Sequence, residues 1–141
     1  MLGIKIHDHE KTSVNERAEK ITIELAKVLM STMEASFPGW QHAFIRFEAS
    51  EAHYGSKGSF KSPKGVFLLD PFSQKSLFEK INALGYELWN CLTNKDKKFH
   101  VFLLSVNSSF DFKIDYEWKD KTKWQISKID GGTGIPTGIQ L

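Results

Sequence analysis

One thiol, five imidazoles, a glycine cluster, a lysine run and three regularly spaced carboxylates are the groups with which this 141-residue chain could do chemistry. Cys91 stands in Trp89-Asn90-Cys91-Leu92, beside the apolar stripe of a helical pattern. A nucleophilic thiolate needs a polar, electropositive niche, so Cys91 reads as a small, half-buried hydrophobe. His7 and His9 could set two imidazoles on one strand face as metal ligands, but no cysteine or second pair at zinc-site spacing joins them. His42, His53 and His100 fall on separate expected strands and read as sheet-surface residues, not as a convergent base. The chain is therefore expected not to be an enzyme and to carry no catalytic residue, metal or cofactor. Gly131-Gly132-Thr133-Gly134 shares only its glycines with a phosphate loop, because no Gly-Lys-Ser/Thr follows and no helix supplies a positive end. Lys119, Lys121, Lys123 and Lys128 surround Trp124, a mix suited to phosphate contact and base stacking. A solvated hairpin turn is the plainer reading; the alternative is a small nucleic-acid- or nucleotide-binding module built on residues 119–128. Asp111, Asp115 and Glu117 alternate on one strand face with Lys113 between them, able to ligate a cation or meet a basic partner.

The elements that must position these groups follow from hydrophobic period. Leu2, Ile4 and Ile6 alternate as a short edge strand within a start segment, residues 1–12. Ser13-Val14-Asn15-Glu16 has capping-box spacing, and Ala18, Ile21, Leu25, Val28, Leu29, Met33 and Phe37 then recur every three or four residues, predicting a helix that Pro38-Gly39 stops. Residues 40–50 alternate as a half-buried strand. The glycine- and serine-rich stretch 51–65, with Tyr54 and Phe60, predicts a weaker strand flanked by turns, and Val66-Phe67-Leu68-Leu69 a short buried one. Asp70-Pro71 suits a helix start, and Leu77, Ile81, Leu84, Leu88 and Leu92 carry the second helix to residue 93. After a charged turn at 94–98, residues 99–106 are apolar on both faces, as in a central strand. Asn107-Ser108-Ser109 turns into the alternating strand 110–118. Residues 124–129 predict an edge strand, and residues 130–141 a loosely held tail.

The expected architecture is thus a single α+β domain over residues 1–141: an antiparallel sheet of five to six strands packed against two long amphipathic helices. Leu, Ile, Val and Phe supply 39 residues, enough for one core. A net charge of +2 excludes a uniformly basic or acidic surface, and 17 lysines against Arg17 and Arg46 lack the guanidinium forks favoured by base readers. No apolar run reaches membrane-span length, and the lone cysteine suits a reducing compartment, so the expectation is a cytoplasmic protein with no membrane partner. Charge is polarised: residues 99–118 hold one lysine against three carboxylates, whereas 119–141 hold four lysines against two.

A helix ending in Pro38-Gly39-Trp40, the aromatic strand Phe44-Ile45-Arg46-Phe47-Glu48-Ala49-Ser50-Glu51, a long second helix, a hydrophobic strand and then Phe112-Lys113-Ile114-Asp115-Tyr116-Glu117-Trp118 together resemble the YezG-type antitoxin family. The resemblance spans residues 18–118. Lys98-Phe99 and Ser108-Ser109 stand where that family is expected to carry a Pro-Trp pair and a turn glycine. That departure suggests a divergent branch, such as the immunity proteins of contact-dependent growth inhibition. The resemblance implies a bacterial immunity protein that neutralises a cognate toxin by covering its active or substrate site. The partner would be a C-terminal toxin domain such as a nuclease, with no direct nucleic-acid contact. On that reading the toxin-binding surface is the face of Asp111, Asp115 and Glu117 with the ring of Tyr54, mimicking phosphates to a basic enzyme.

Overall fold

Two helices and a six-stranded sheet carry the chain, in a computed structural model that describes residues 2–4, 12–94 and 97–141 and the side chains of residues 16–92 and 97–141. His7 and His9 lie outside the described residues, as do Ile6, Lys95 and Asp96 and the side chain of Ser13. Helix α1 (Thr12–Ser36) buries Ala18, Ile21, Leu25, Leu29 and Met33, the predicted stripe, and ends where Pro38 and Gly39, the latter at φ 82°, turn the chain. Strands β2 (His42–Ala49), β3 (Tyr54–Ser62) and β4 (Gly65–Leu68) follow as consecutive antiparallel hairpins. Helix α2 (Lys75–Cys91) packs beside α1 and buries Leu77, Phe78, Ile81, Gly85, Leu88 and Trp89. A two-residue ladder, β5 (Thr93–Asn94) with β6 (Lys97–Lys98), leads into β7 (Val101–Asn107) and β8 (Phe112–Glu117). Strand β1 (Leu2–Ile4) is added parallel at the β8 edge of five antiparallel strands, in the order β1-β8-β7-β2-β3-β4. The fold is α+β, as expected.

Both helices cover one sheet face, where Ala43, Ile45 and Phe47 of β2, Phe102 and Leu104 of β7, and Ile114 and Tyr116 of β8 join the main core. Gly85 allows this close approach, since a Cβ there would lie 2.6 Å from the ring of Phe47. Gly58 does the same inside β3: a Cβ would meet Ile45 and Leu69 at 2.8 Å. Gly58, one of the glycines that made residues 51–65 read as weak strand, thus serves packing, and β3 is a full nine-residue interior strand.

Five expectations are corrected. Residues 124–129 form no strand and residues 130–141 are not loose. Together with 119–123 they run as an irregular strap over the second sheet face, burying Trp124 and Ile126 on Phe44, Val101 and Leu103, with Ile135 and Ile139 packed alongside. The apolar second face of β2 and β7 needed a cover, and this segment supplies it. Asp70 does not start α2; its carboxylate accepts the Phe72 N–H and the Ser73 hydroxyl in a turn, and α2 begins at Lys75. The run 66–69 is not a buried strand: β4 is the outer strand, with Phe67 and Leu68 exposed and only Leu69 turned into the core. Phe110 belongs to the β7–β8 turn, at φ 66° and exposed, so β8 starts two residues later than the pattern predicts.

Candidate partner-binding surface

The predicted acidic group does not assemble with Tyr54. Asp115 and Glu117 project from β8 on the strap side, because the buried Phe112, Ile114 and Tyr116 take the helix side. Tyr54 opens β3 on the helix side, stacked on Tyr86 of α2 with ring centroids 4.6 Å apart and tilted against Phe47. Three strand steps and the thickness of the sheet separate it from the acids. Asp111 sits in the turn before β8, where its carboxylate accepts a hydrogen bond from Asn107 Nδ2 at 3.4 Å. Asp111, Lys113, His42 and Ile139 border a cleft of about 340 Å³.

The acids are also largely occupied. Asp115 pairs with Lys113 at 3.6 Å. Glu117 accepts the backbone N–H groups of Asp120 (3.0 Å) and Lys119 (3.1 Å) and pairs with Lys123 at 3.2 Å. The Asp120 N–H above all holds its pKa below the usual carboxylate range. Glu117 therefore acts as the cap of the strap's first turn.

The strap is latched by a residue whose burial its type does not suggest. Arg46, on the second face of β2 and 3% exposed, donates from Nε to the Lys123 carbonyl and from Nη2 to the Lys121 carbonyl, both at 2.7 Å, and from Nη1 to Glu48. This anchor holds Trp124 at φ 61°, a backbone region costing about 1–2 kcal/mol for a residue with a side chain. Burial of the indole in the second-face cluster offsets that strain. Trp124 consequently offers no free face for a stacked base, although Lys119, Lys121, Lys123 and Lys128 remain exposed.

The remaining chemical candidates lie apart. Cys91 ends α2, half-buried with its Sγ toward the Leu88 carbonyl, and burial pushes its thiol pKa up, the opposite of an activated nucleophile. His42 opens β2, while His53 and His100 lie in connections off the strands, His53 with Nε2 3.9 Å from Glu48. Among the described residues no three His, Cys, Asp or Glu side chains gather into a metal site. Gly131 to Gly134 belong to the strap, with the Gly134 N–H donating to the Ser127 carbonyl.

The surface that stands out lies at the opposite edge of the sheet. Phe67 and Leu68 of β4, Phe72 in the following turn and Ile129 of the strap are all exposed, Phe72 at 94%. Leu68, Leu69, Pro71, Ile126 and Ile129 line an apolar cleft of about 340 Å³ flanked by Lys57 and Lys128. Neither lysine has an ion pair among the described residues; Lys128 lies over the Phe67 ring, 5.8 Å from its centroid. Sequence reasoning missed this group by treating 66–69 as interior. The available signal was a four-residue apolar run following Lys61 and Lys64, a usual pattern for a guarded edge strand.

No protein-family model matches the chain and no curated protein matches it. Among the described residues no helix is long and apolar enough to cross a membrane.

Proposed function

We propose that the chain is an immunity protein that binds a cognate protein toxin and neutralises it by stoichiometric occlusion, with the β4 edge and its cleft as the contact surface. The observation that carries this reading is the set of exposed apolar side chains along the β4 edge, Phe67 and Phe72 toward the helix face and Leu68 and Ile129 at a cleft on the other, with Lys57 and Lys128 there making no ion pair among the described residues. Exposed aromatic and aliphatic anchors within a charged rim are the arrangement that supplies binding energy at protein interfaces. The resemblance of residues 18–118 to YezG-type antitoxins supports a toxin as the partner. The acidic face of β8 is the weaker candidate, because Asp115 and Glu117 already have lysine partners. In co-culture with its parent, a strain lacking the gene should lose viability, and plasmid-borne wild-type chain should restore it. The Phe72→Asp chain, folded but with a charge in the patch, should not. Equal survival of the deletion strain would refute the immunity reading.

A further inference from the structure

We infer that β4 accepts an extended, acidic segment of its partner as an added strand, paired main chain to main chain. This rests on the reading of the chain as a protein-binding module. The register decides which backbone groups are free. Leu69 donates its N–H to the Gly58 carbonyl at 2.9 Å, and in an antiparallel ladder hydrogen-bonded pairs alternate with non-bonded ones. Phe67 opposite Phe60 and Gly65 opposite Ser62 are therefore the bonded pairs, while Val66 opposite Lys61 and Leu68 opposite Ser59 are not. The N–H and C=O groups of Val66 and Leu68 consequently point away from β3, and among the described residues no strand pairs with them. A row of two donors and two acceptors beside an apolar cleft is what strand addition uses: main-chain bonds for affinity, alternate side chains for specificity.

Charge identifies the segment. Lys57 and Lys128 flank the cleft and Lys64 precedes the strand, while the nearby Asp70 carboxylate is taken by Phe72 N–H and Ser73. A second copy pairing β4 to β4 would bring the like-charged Lys57 and Lys128 of both chains to one edge. In an added strand the apolar residues opposite Leu68 fill the cleft, and the intervening carboxylates fall on the Phe67 side, where the Lys128 ammonium lies over the ring.

The test uses the full ¹⁵N-labelled chain and an acetylated octapeptide alternating Glu with Ile or Val, its Glu→Lys counterpart, and a version N-methylated at each Ile or Val, the residues whose N–H groups face β4 in antiparallel pairing. Binding of the Glu peptide should slow amide exchange at Val66 and Leu68 roughly tenfold or more at saturation and leave Phe67, already bonded to β3, unchanged. The N-methylated and Lys peptides should not bind. A Lys57→Glu, Lys128→Glu chain, altered only at exposed positions, should bind roughly five- to tenfold more weakly with its spectrum otherwise intact. Equal binding of the N-methylated peptide, or no protection at Val66 and Leu68, overturns strand addition. Equal binding of the Lys peptide overturns the acidic specificity, and concentration-dependent protection without peptide overturns the choice of partner in favour of a second copy. If strand pairing fails while Phe72→Asp still abolishes protection in co-culture, this inference falls alone. If pairing occurs and the deletion strain survives, the toxin reading falls alone.

Discussion

Arg46→Met removes the latch on the strap while keeping an unbranched apolar side chain in its place. The guanidinium is almost fully buried and gives two 2.7 Å hydrogen bonds to main-chain carbonyls that persist in the variant. A hydrogen bond to a charged group contributes about 1.5–3 kcal/mol. Lys121 and Lys123 are exposed, so their carbonyls rehydrate once the strap shifts, which places each bond at the low end. The Glu48 pair adds under about 1 kcal/mol, because that carboxylate is half in water. The expected loss is about 3 kcal/mol, or roughly 6–12 °C in Tm if the whole chain unfolds as one unit. If the strap opens alone, the same energy appears as local exchange: the amides of Gly134 and Thr137, bonded to the Ser127 and Gln125 carbonyls, should exchange roughly a hundredfold faster. Urea unfolding together with residue-resolved hydrogen exchange separates the two cases. A loss under about 1 kcal/mol with unchanged protection at Gly134 and Thr137 would show that the apolar cluster alone holds the strap, and would falsify the latch.

Four further outcomes are expected. Phe72→Asp should leave stability within about 0.5 kcal/mol by urea titration, since the ring is in water, while partner binding is lost. Gly85→Ala gains about 1 kcal/mol of helix propensity but drives a methyl into the Phe47 ring, where overpacking costs about 1–3 kcal/mol; a net loss near 1 kcal/mol should appear in the urea midpoint, and a gain would mean that Phe47 has room to retreat. Tyr116→Phe should be neutral or stabilising in the same assay, because the buried hydroxyl makes no well-formed hydrogen bond among the described residues. Glu117, with a folded pKa below the ordinary 4.5, stabilises fully above that value and loses the contribution as pH falls through its lowered pKa; Glu117→Gln should flatten the acid limb of a stability-versus-pH curve.

Elements with a strong period were legible in the sequence. The stripes of α1 and α2 and the alternation of β8 each had one face to bury, and they bury it, whereas β2, half-buried by its pattern, also buries Phe44 and Arg46 on its second face. The doubly apolar pattern of β7 correctly announced a central strand but did not reveal what covers its second side. That cover has no period of its own: Trp124, Ile126, Ile135 and Ile139 are spaced irregularly because an irregular segment needs only to place a ring or a branched chain wherever the sheet is bare. Arg46 was hidden for a related reason. Alternation placed it on the polar side of β2, and its burial depends on carbonyls 75 and 77 residues away. Asp111, Asp115 and Glu117 shared a face in the pattern, but partner lysines and the sheet separating them from Tyr54 are properties of pairing, which a single strand does not display.

The exposure of β4 follows from how both covers end. On one face α2 is delayed to Lys75 by the Asp70 turn, which leaves Phe67 and Phe72 beyond the helix layer. On the other, the strap crosses the sheet and supplies Ile126, Lys128 and Ile129 as one wall of the cleft. Opening the strap by Arg46→Met should therefore disrupt that wall, joining the stability of the second face to binding at the edge. The flanking lysines add a second effect. A bare apolar edge invites pairing with any strand, including its own copy, and charges of one sign discourage that. Lysines at Lys57, Lys64 and Lys128 oppose a like-charged copy and favour an acidic strand, so the same residues that guard the edge also select what occupies it.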